Sequence, residues 1–361
     1  ISRCRSAGKK IVAGGPLFTA EWEVFGRVDY LVLNEAEITL PLFLADLKQG
    51  RAKHVYASGK FSDMDKTPIP RWDLLNMKAY ASMSVQWSRG CPFRCEFCDV
   101  TKLFARSSRV KTTEQVMAEL DSLYAAGWRG KVFFVDDNLI GDKKRLKDEL
   151  LPELISWQKK MNYHVPFFTQ ASINLAQDSE LISLMVEAGF DSVFIGIETP
   201  NQAALSDCRK TQNMGRNLAA DVEILQRAGL EVMGGFIVGF DSDDPATIFR
   251  RQIDFITNTG ITTAMVGLLS APYGTKLWQR LERAGRLSGR MSGDNVDGTT
   301  NIIPCMGLEV LRRGYRDMMK YLYSPKNYYG RVRTFLRDYQ APKARHRVNS
   351  HEGAAAPDER E

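Results

Sequence analysis

No uninterrupted apolar run in this 361-residue chain approaches the roughly 18 residues that a membrane-spanning helix needs. The opening residues, ISRCRSAGKK, lack the apolar centre of a secretory leader. These two absences lead us to expect a cytoplasmic protein with no transmembrane segment. No block of five or more like charges occurs, and 49 Lys and Arg stand against 43 Asp and Glu, so nothing marks a nucleic-acid partner. Neither GxxxxGK[ST] nor GxGxxG follows a strand, which argues against nucleoside-triphosphate chemistry. A disulfide framework is missing too. Three of the six cysteines, Cys91, Cys95 and Cys98, fall within eight residues, whereas Cys4, Cys208 and Cys305 are scattered. The chain opens on Ile1 rather than Met, with a strand-like run at 10–12 almost at once, and we expect a segment of the natural protein to precede it.

What is present reads as a folded α/β chain. Hydrophobic residues make up 44% and charged residues 25%, a balance that disfavours wholesale disorder, collagen-like repeats and coiled coil. The length suits about two ordinary domains, or one large barrel-like domain with an appendage. From about residue 84, β-branched and aromatic runs alternate with amphipathic helical patterns. Strands are expected at 84–87, 131–135, 165–171, 192–197, 231–238 and 263–269. Thr112 and Thr113 can cap a helix carrying Val116, Leu120, Leu123 and Tyr124, with Gly127 as its stop. Asp178 can cap 181–188 ahead of Gly189, and Leu218, Val222, Leu225 and Ala228 form a stripe closed by Gly229. Asp244 and Pro245 fit the N-cap and first position of a helix that carries Ile248, Phe249, Ile253 and Ile256 and ends at Gly260.

This repeat of helix, glycine and strand predicts an α/β fold, a partial (β/α)6 TIM-like barrel over 83–270, with its active-site residues at the carboxyl ends of the strands. Residues 1–50 read as a further βα fragment, whose helix places Leu40, Phe43, Leu44 and Leu47 on one face. That fragment has too few strands to bury a core alone. Residues 51–82, with Pro68 and Pro70, read as a linker, 271–340 as a helical region rich in Arg and Tyr, and 341–361 as a disordered tail.

The stretch SVQWSRGCPFRCEFCDV sets the clustered cysteines on a loop between the first strand and first helix of the barrel-like region. Three thiolates within reach of one another suit an iron–sulfur cluster, and a four-iron cluster with three protein ligands leaves one iron open. Offsets of 0, 4 and 7 also share one helix face, but Gly90 and Pro92 flank the first cysteine. A structural zinc site wants four ligands, and His164 or Cys208 can supply the fourth only from afar.

The spacing CxxxCxxC, with aromatic Phe97 before the last cysteine and a six-strand βα series around it, resembles the radical S-adenosylmethionine (SAM) superfamily over about residues 82–270. The resemblance implies that Cys91, Cys95 and Cys98 ligate a [4Fe-4S] cluster whose fourth iron is chelated by the amino and carboxylate groups of SAM. One electron then cleaves SAM to methionine and a 5′-deoxyadenosyl radical, which abstracts hydrogen from a substrate. It further implies SAM contacts at Asp136, Asp137 and Asn138 after the second strand, where the family places the methionine amino group. Gln170 and Ser172 at the end of the third strand, Glu198 closing the fourth, and Gly235 and Gly239 in the fifth, along the adenine, complete the set. Arg209 or Lys210 would meet a carboxylate. From the residues alone, Asp137 as a helix cap, Glu198 as a solvated turn residue and the GGF run as tight packing stay open.

The stretch IVAGGPLFTAEW…VDYLVLNEAE resembles the last third of a Rossmann-like cobalamin-binding domain, in which Gly14 and Gly15 match a Gly-Gly pair that lets the nucleotide tail approach the backbone. No DxHxxG motif occurs, so a lower axial histidine to cobalt is not expected; an ordinary α/β lid is the alternative. With the linker and C-terminal region, the chain resembles cobalamin-dependent radical SAM proteins with a C-terminal helical domain, relatives of the hopanoid C-2 methylases. The resemblance implies C-methyl transfer from methylcobalamin to a carbon radical, with SAM as radical source and methyl donor, a small-molecule or lipid substrate, and flavodoxin or ferredoxin as reductant. A cobalamin-independent radical SAM oxidoreductase, cyclase or methylthiotransferase is the enzymatic alternative, although the scattered cysteines offer no second triad. A metal-stabilised binding scaffold is the non-enzymatic one. Cys208 and Cys305 read as small buried hydrophobes.

Overall fold

The computed structural model describes residues 1–340 except Gly26, Ala105, His164 and Asn295. The expected disordered tail and the distant-ligand reading of His164 lie outside the described residues. A small parallel sheet comes first, made of β1 (Val12–Gly14), β2 (Tyr30–Val32) and β3 (Val55–Tyr56). The chain then enters β4 (Ser82–Val85), makes a short antiparallel pair from β5 (Ser88–Arg89) and β6 (Arg109–Val110), and continues through β7 (Lys131–Phe134), β8 (Phe167–Ala171), β9 (Phe190–Glu198), β10 (Glu231–Val238) and β11 (Ala264–Leu268).

The six longer strands form one sheet in the order β4-β7-β8-β9-β10-β11, every pair parallel. Each strand lies beside its predecessor, so the helices between them wind the chain steadily into a half-barrel whose strands share one carboxyl rim. The expected six strands are all present. Phe134, Phe167 and Phe190 tie three neighbouring strands together, their ring centroids 5.2–5.5 Å apart and their side chains fully buried. Each such burial contributes about 1.5–3 kcal/mol.

Local chemistry sets the helix ends. Thr112 accepts from the Gln115 N–H while the Gln115 side chain accepts from the Thr112 N–H, a reciprocal cap on helix Thr113–Ala125. Asp178 accepts from the Leu181 N–H ahead of Ser179–Glu187. Gly127, Gly189 and Gly229, at φ +99, +94 and +98, turn the chain out of three helices. The fourth helix differs from expectation: it spans Ile248–Asn258 and does not start at Pro245. Asp244 instead accepts from the Ala246 N–H and the Thr247 hydroxyl, a local turn that competes with helix initiation.

Two further expectations are corrected in the N-terminal unit. Residues 55–56, read as linker, are β3 and pair with β2; two residues are too few to carry an alternating signal. Helix Ala36–Lys48 buries Thr39 and Phe43, while Leu40, Leu44 and Leu47 stay exposed. Polar contacts turn the helix this way: the Thr39 hydroxyl donates to Leu33 O at 3.0 Å, and the Tyr56 hydroxyl donates to Asp46 at 2.9 Å. At the other end, helices Leu308–Leu322 and Pro325–Asp338 pack on Ile248–Asn258. Among the described residues no helix is long and apolar enough to cross a membrane.

Candidate active site

Beyond Val85 the chain leaves the sheet at the carboxyl rim, and Cys91, Cys95 and Cys98 follow at once, their loop pinched at its base by the β5–β6 pair. All three thiols are partly exposed. Glu96, between the second and third cysteines, is held from three sides. Its N–H donates to Cys208 O at 2.8 Å, its carbonyl accepts from the Leu277 N–H at 3.0 Å, and its carboxylate takes Arg280 at 2.9 Å. Gln212 donates to the Cys95 sulfur at 3.6 Å. Burial pushes the Cys98 thiol up to about 12, with Asp99 and Cys95 adding to the rise. Burial likewise raises Cys91.

Behind the thiols Lys210 donates to Glu198 at 2.7 Å, the two side chains only 12% and 9% exposed. Burial works against the Lys210 ammonium, but Glu198, Cys95 and Cys98 outweigh it and hold its pKa above the ordinary lysine value. This donor set suits an iron–sulfur cluster. Thiolate ligands are favoured by nearby positive charge, which cluster iron supplies. Lys210 lies where it can balance the surplus negative charge of the thiolates. Among the described residues no three His, Cys, Asp or Glu side chains converge on a single-ion position. Ligands of a four-iron cube each take a different iron, so they stand apart instead of crowding one ion.

The residues expected to meet SAM divide into groups. Asn138 and Ser172 are together: Asn138 Oδ1 accepts from the Ser172 N–H at 3.0 Å, which leaves the buried Asn138 Nδ2 without a partner. They line a cavity of about 570 Å³ with Phe93, Arg106, Ser108 and Lys143. Gln170 lies on β8, partly exposed, near the same rim. Glu198 closes β9 with φ +64, a left-handed backbone rare for a non-glycine residue. Lys210 is taken up by the Glu198 carboxylate of the chain itself. Arg209, itself at φ +56, lines a second cavity of about 270 Å³ with Glu96, Phe97, Cys208, Phe240 and Arg280. Phe97 and Phe240 pack edge to face at its wall, their ring centroids 6.5 Å apart.

The rest differ in their surroundings. Asp136 has no exposed surface with which to meet a ligand: its carboxylate accepts from the Trp87 N–H at 3.3 Å and from the Ser88 N–H, and burial pushes it up to about 7. Asp137, partly exposed, accepts from the Gly90 N–H at 2.9 Å. A Cβ on Gly235 would meet the Phe194 ring at 2.8 Å, and one on Gly239 would meet Leu311 at 3.0 Å. Gly14 backs onto the Val32 carbonyl, whereas Gly15, at φ +88, faces open space. Sequence reasoning missed Glu96, Asp241 and Arg280. Arg280 bridges Glu96 to Asp241, at 2.9 Å to each, from 184 residues beyond Glu96, a separation that no local spacing betrays.

The family profile of the radical SAM superfamily matches residues 85–250, and that of a domain of unknown function (DUF4070) matches 275–358. An uncharacterized methyltransferase of Synechocystis sp. is 44% identical over 96% of this chain and 65% of its own length. The hopanoid C-2 methylase of Rhodopseudomonas palustris is 35% identical over 88% of this chain and 59% of its own. The chain thus spans less than two thirds of these relatives. The radical SAM methyltransferase TsrM from Kitasatospora setae, solved with cobalamin and [4Fe-4S] cluster bound, shares the fold at a TM-score of 0.66 and 17% identity, over 94% of this chain and 74% of that one. With the matched profile starting on β4 and taking in the three-cysteine loop at the rim of a six-stranded parallel half-barrel, residues 85–250 of the chain belong to the radical SAM superfamily.

Proposed function

We propose that the chain is the catalytic part of a cobalamin-dependent radical SAM C-methyltransferase. The observation that carries the radical reading is the rim loop of three thiols backed by the buried Lys210–Glu198 pair. Methyl transfer rests on the two sequence relatives, both of which bear methyltransferase or methylase names, and on Gly15, whose open, left-handed backbone leaves room for a nucleotide tail. Bound here, the cluster would supply one electron for SAM cleavage and cobalamin a transferable methyl group. The chain's own residues bind and orient. Cys91, Cys95 and Cys98 hold iron, Lys210 balances their charge, and the unpaired Asn138 amide offers a donor to a carboxylate or carbonyl. Phe97 and Phe240 form an aromatic wall for the nucleoside, closed by the Glu96–Arg280–Asp241 bridge. Gln170, Ser172 and Gly239 complete the rim.

In this reading residues 1–56 end a cobalamin-binding unit, 83–270 form the radical barrel and 271–340 cover it. The substrate is a small molecule or lipid, the reductant a flavodoxin or ferredoxin, and the compartment the cytoplasm. Anaerobic reconstitution with iron and sulfide tests the radical step. A cluster whose electron-spin signal changes on adding SAM, and is lost in Cys95→Ala, is expected; no such signal leaves the scaffold reading. Retention of added cobalamin, with label passing from methyl-labelled SAM to cobalamin, tests the second step, and failure of both removes methyl transfer.

A further inference from the structure

We propose that Asp136 and Asp137 are positioning residues of the cysteine loop, gripping by their backbone the residues 87–90 that lead into Cys91. The β4–β7 ladder ends where the Val135 N–H donates to Val85 O at 2.9 Å. Past that bond the chain leaves the sheet, and its next N–H groups lose their strand partner while still buried against the rim. Trp87 is 1% and Ser88 0% exposed. Unpaired buried N–H groups are costly, so an acceptor has to be supplied. The two carboxylates that follow β7 supply it. One oxygen of Asp136 takes the Trp87 N–H and the other takes the Ser88 N–H. Asp137 takes the Gly90 N–H at 2.9 Å.

Gly90 is where the geometry needs fixing. Its φ of +100 is a conformation open chiefly to glycine, and it turns the chain back over the rim at the residue before the first thiol. A grip on one side alone would let this turn swing, but the same four residues are also held from outside. Arg89 donates to Glu37 at 3.0 Å and to Gln86 at 3.1 Å, and the Lys111 N–H donates to Trp87 O at 2.8 Å. Asp136 has no surface left for any other partner. Asp136 therefore acts on the cluster through the orientation of Cys91 and not by touching SAM, and the hold of Asp137 on the Gly90 N–H gives it the same role. This inference rests on the cysteines holding a cluster, as proposed above.

Asp136→Asn tests it. The amide keeps one acceptor but turns an NH2 group against a backbone N–H. In anaerobically reconstituted protein, cluster loss to an iron chelator, followed by visible absorbance, should speed up by about tenfold, the scale of one buried backbone hydrogen bond. In molecules that still hold a cluster, the SAM concentration needed to change the electron-spin signal should stay within about twofold, because no SAM contact is removed. Should Asp136→Asn not fold, Asp137→Asn, at a partly exposed position, is decisive with the same two readouts. Unchanged cluster lifetime, or a weakened SAM response with the cluster held as firmly as before, overturns the inference. If the unsubstituted protein takes up no cluster, it is the proposed function that fails, an outcome distinct from variants that hold a cluster as well as their parent.

Discussion

Glu198 occupies a left-handed backbone position beside β10 with its carboxylate buried, and among the described residues its ionic partner is Lys210. Lys210→Met should therefore strand a buried carboxylate and lower stability by about 3 kcal/mol. Adding Glu198→Gln should restore a good part of the loss, whereas independent costs would simply sum. A double-mutant cycle in urea on the cluster-free protein reads the difference. Asp241 makes a second, pH-dependent case. Hydrogen bonds from Arg286, and then from Arg280, outweigh burial and bring its carboxyl down to about 2. A carboxyl depressed in the folded state stabilises above its unfolded pKa, near 4, and the benefit fades as pH falls through the folded value. Asp241→Asn should flatten the fall in stability between about pH 4 and pH 2 and, since the side chain is partly exposed, cost only about 1 kcal/mol at neutral pH. Acid unfolding curves that stay parallel for both proteins would contradict this.

Among elements, the N-terminal unit meets the cysteine loop through charge. Glu35 takes Arg109 and the Ser62 N–H, while Glu37 takes Arg89, and all four charged side chains are largely buried. Both arginines belong to the short β5–β6 pair, so this latch joins helix Ala36–Lys48 to the base of the loop. Neutralising both carboxylates, Glu35→Gln with Glu37→Gln, should loosen that joint. Limited proteolysis is expected to cut within 57–81 several-fold faster while the half-barrel stays intact; an unchanged cutting rate would show that packing alone holds the unit. Little of this joint can be read in the sequence, although the barrel can. The six strands announce themselves because each is a run of β-branched and aromatic residues between helices with recognisable caps and glycine stops. Thr112 and Asp178 cap as their residue types predict. The pairs β5–β6 and β2–β3 involve two residues on at least one side, too short for any period, and Asp244 was diverted into its own turn. The cysteine triad was legible from spacing, but Glu96–Arg280 and Asp136–Ser88 unite residues far apart in the chain, which only the folded sheet brings together.

For the whole molecule, the question is whether the C-terminal helices form a separate cover or part of the barrel. Leu311, Met318 and Leu322 belong to the same continuous core as Val238, Ile256 and Val266, so no solvent layer divides the two regions. Arg331 pins the junction. Fully buried, it donates to Ile261 O at 2.9 Å, to Thr262 O at 3.3 Å and to Leu322 O, the last helical carbonyl of Leu308–Leu322, with the Tyr323 and Tyr328 rings 5.4 and 5.6 Å away. Close approach at Gly260, where a Cβ would press on Phe335 N at 2.7 Å, leaves the second helix no room to shift. Arg331→Met keeps the volume but removes every donor, so three buried carbonyls lose their partner, at a cost of about 3 kcal/mol or more. Because the core is shared, that cost should appear as a lower urea midpoint in one cooperative transition, with hydrogen-exchange protection falling together in 308–338 and in β7 to β9. Early loss confined to 308–338, followed by a second transition at the original midpoint, would mean that the helices are an independent cover and that Arg331 anchors them without contributing to the barrel.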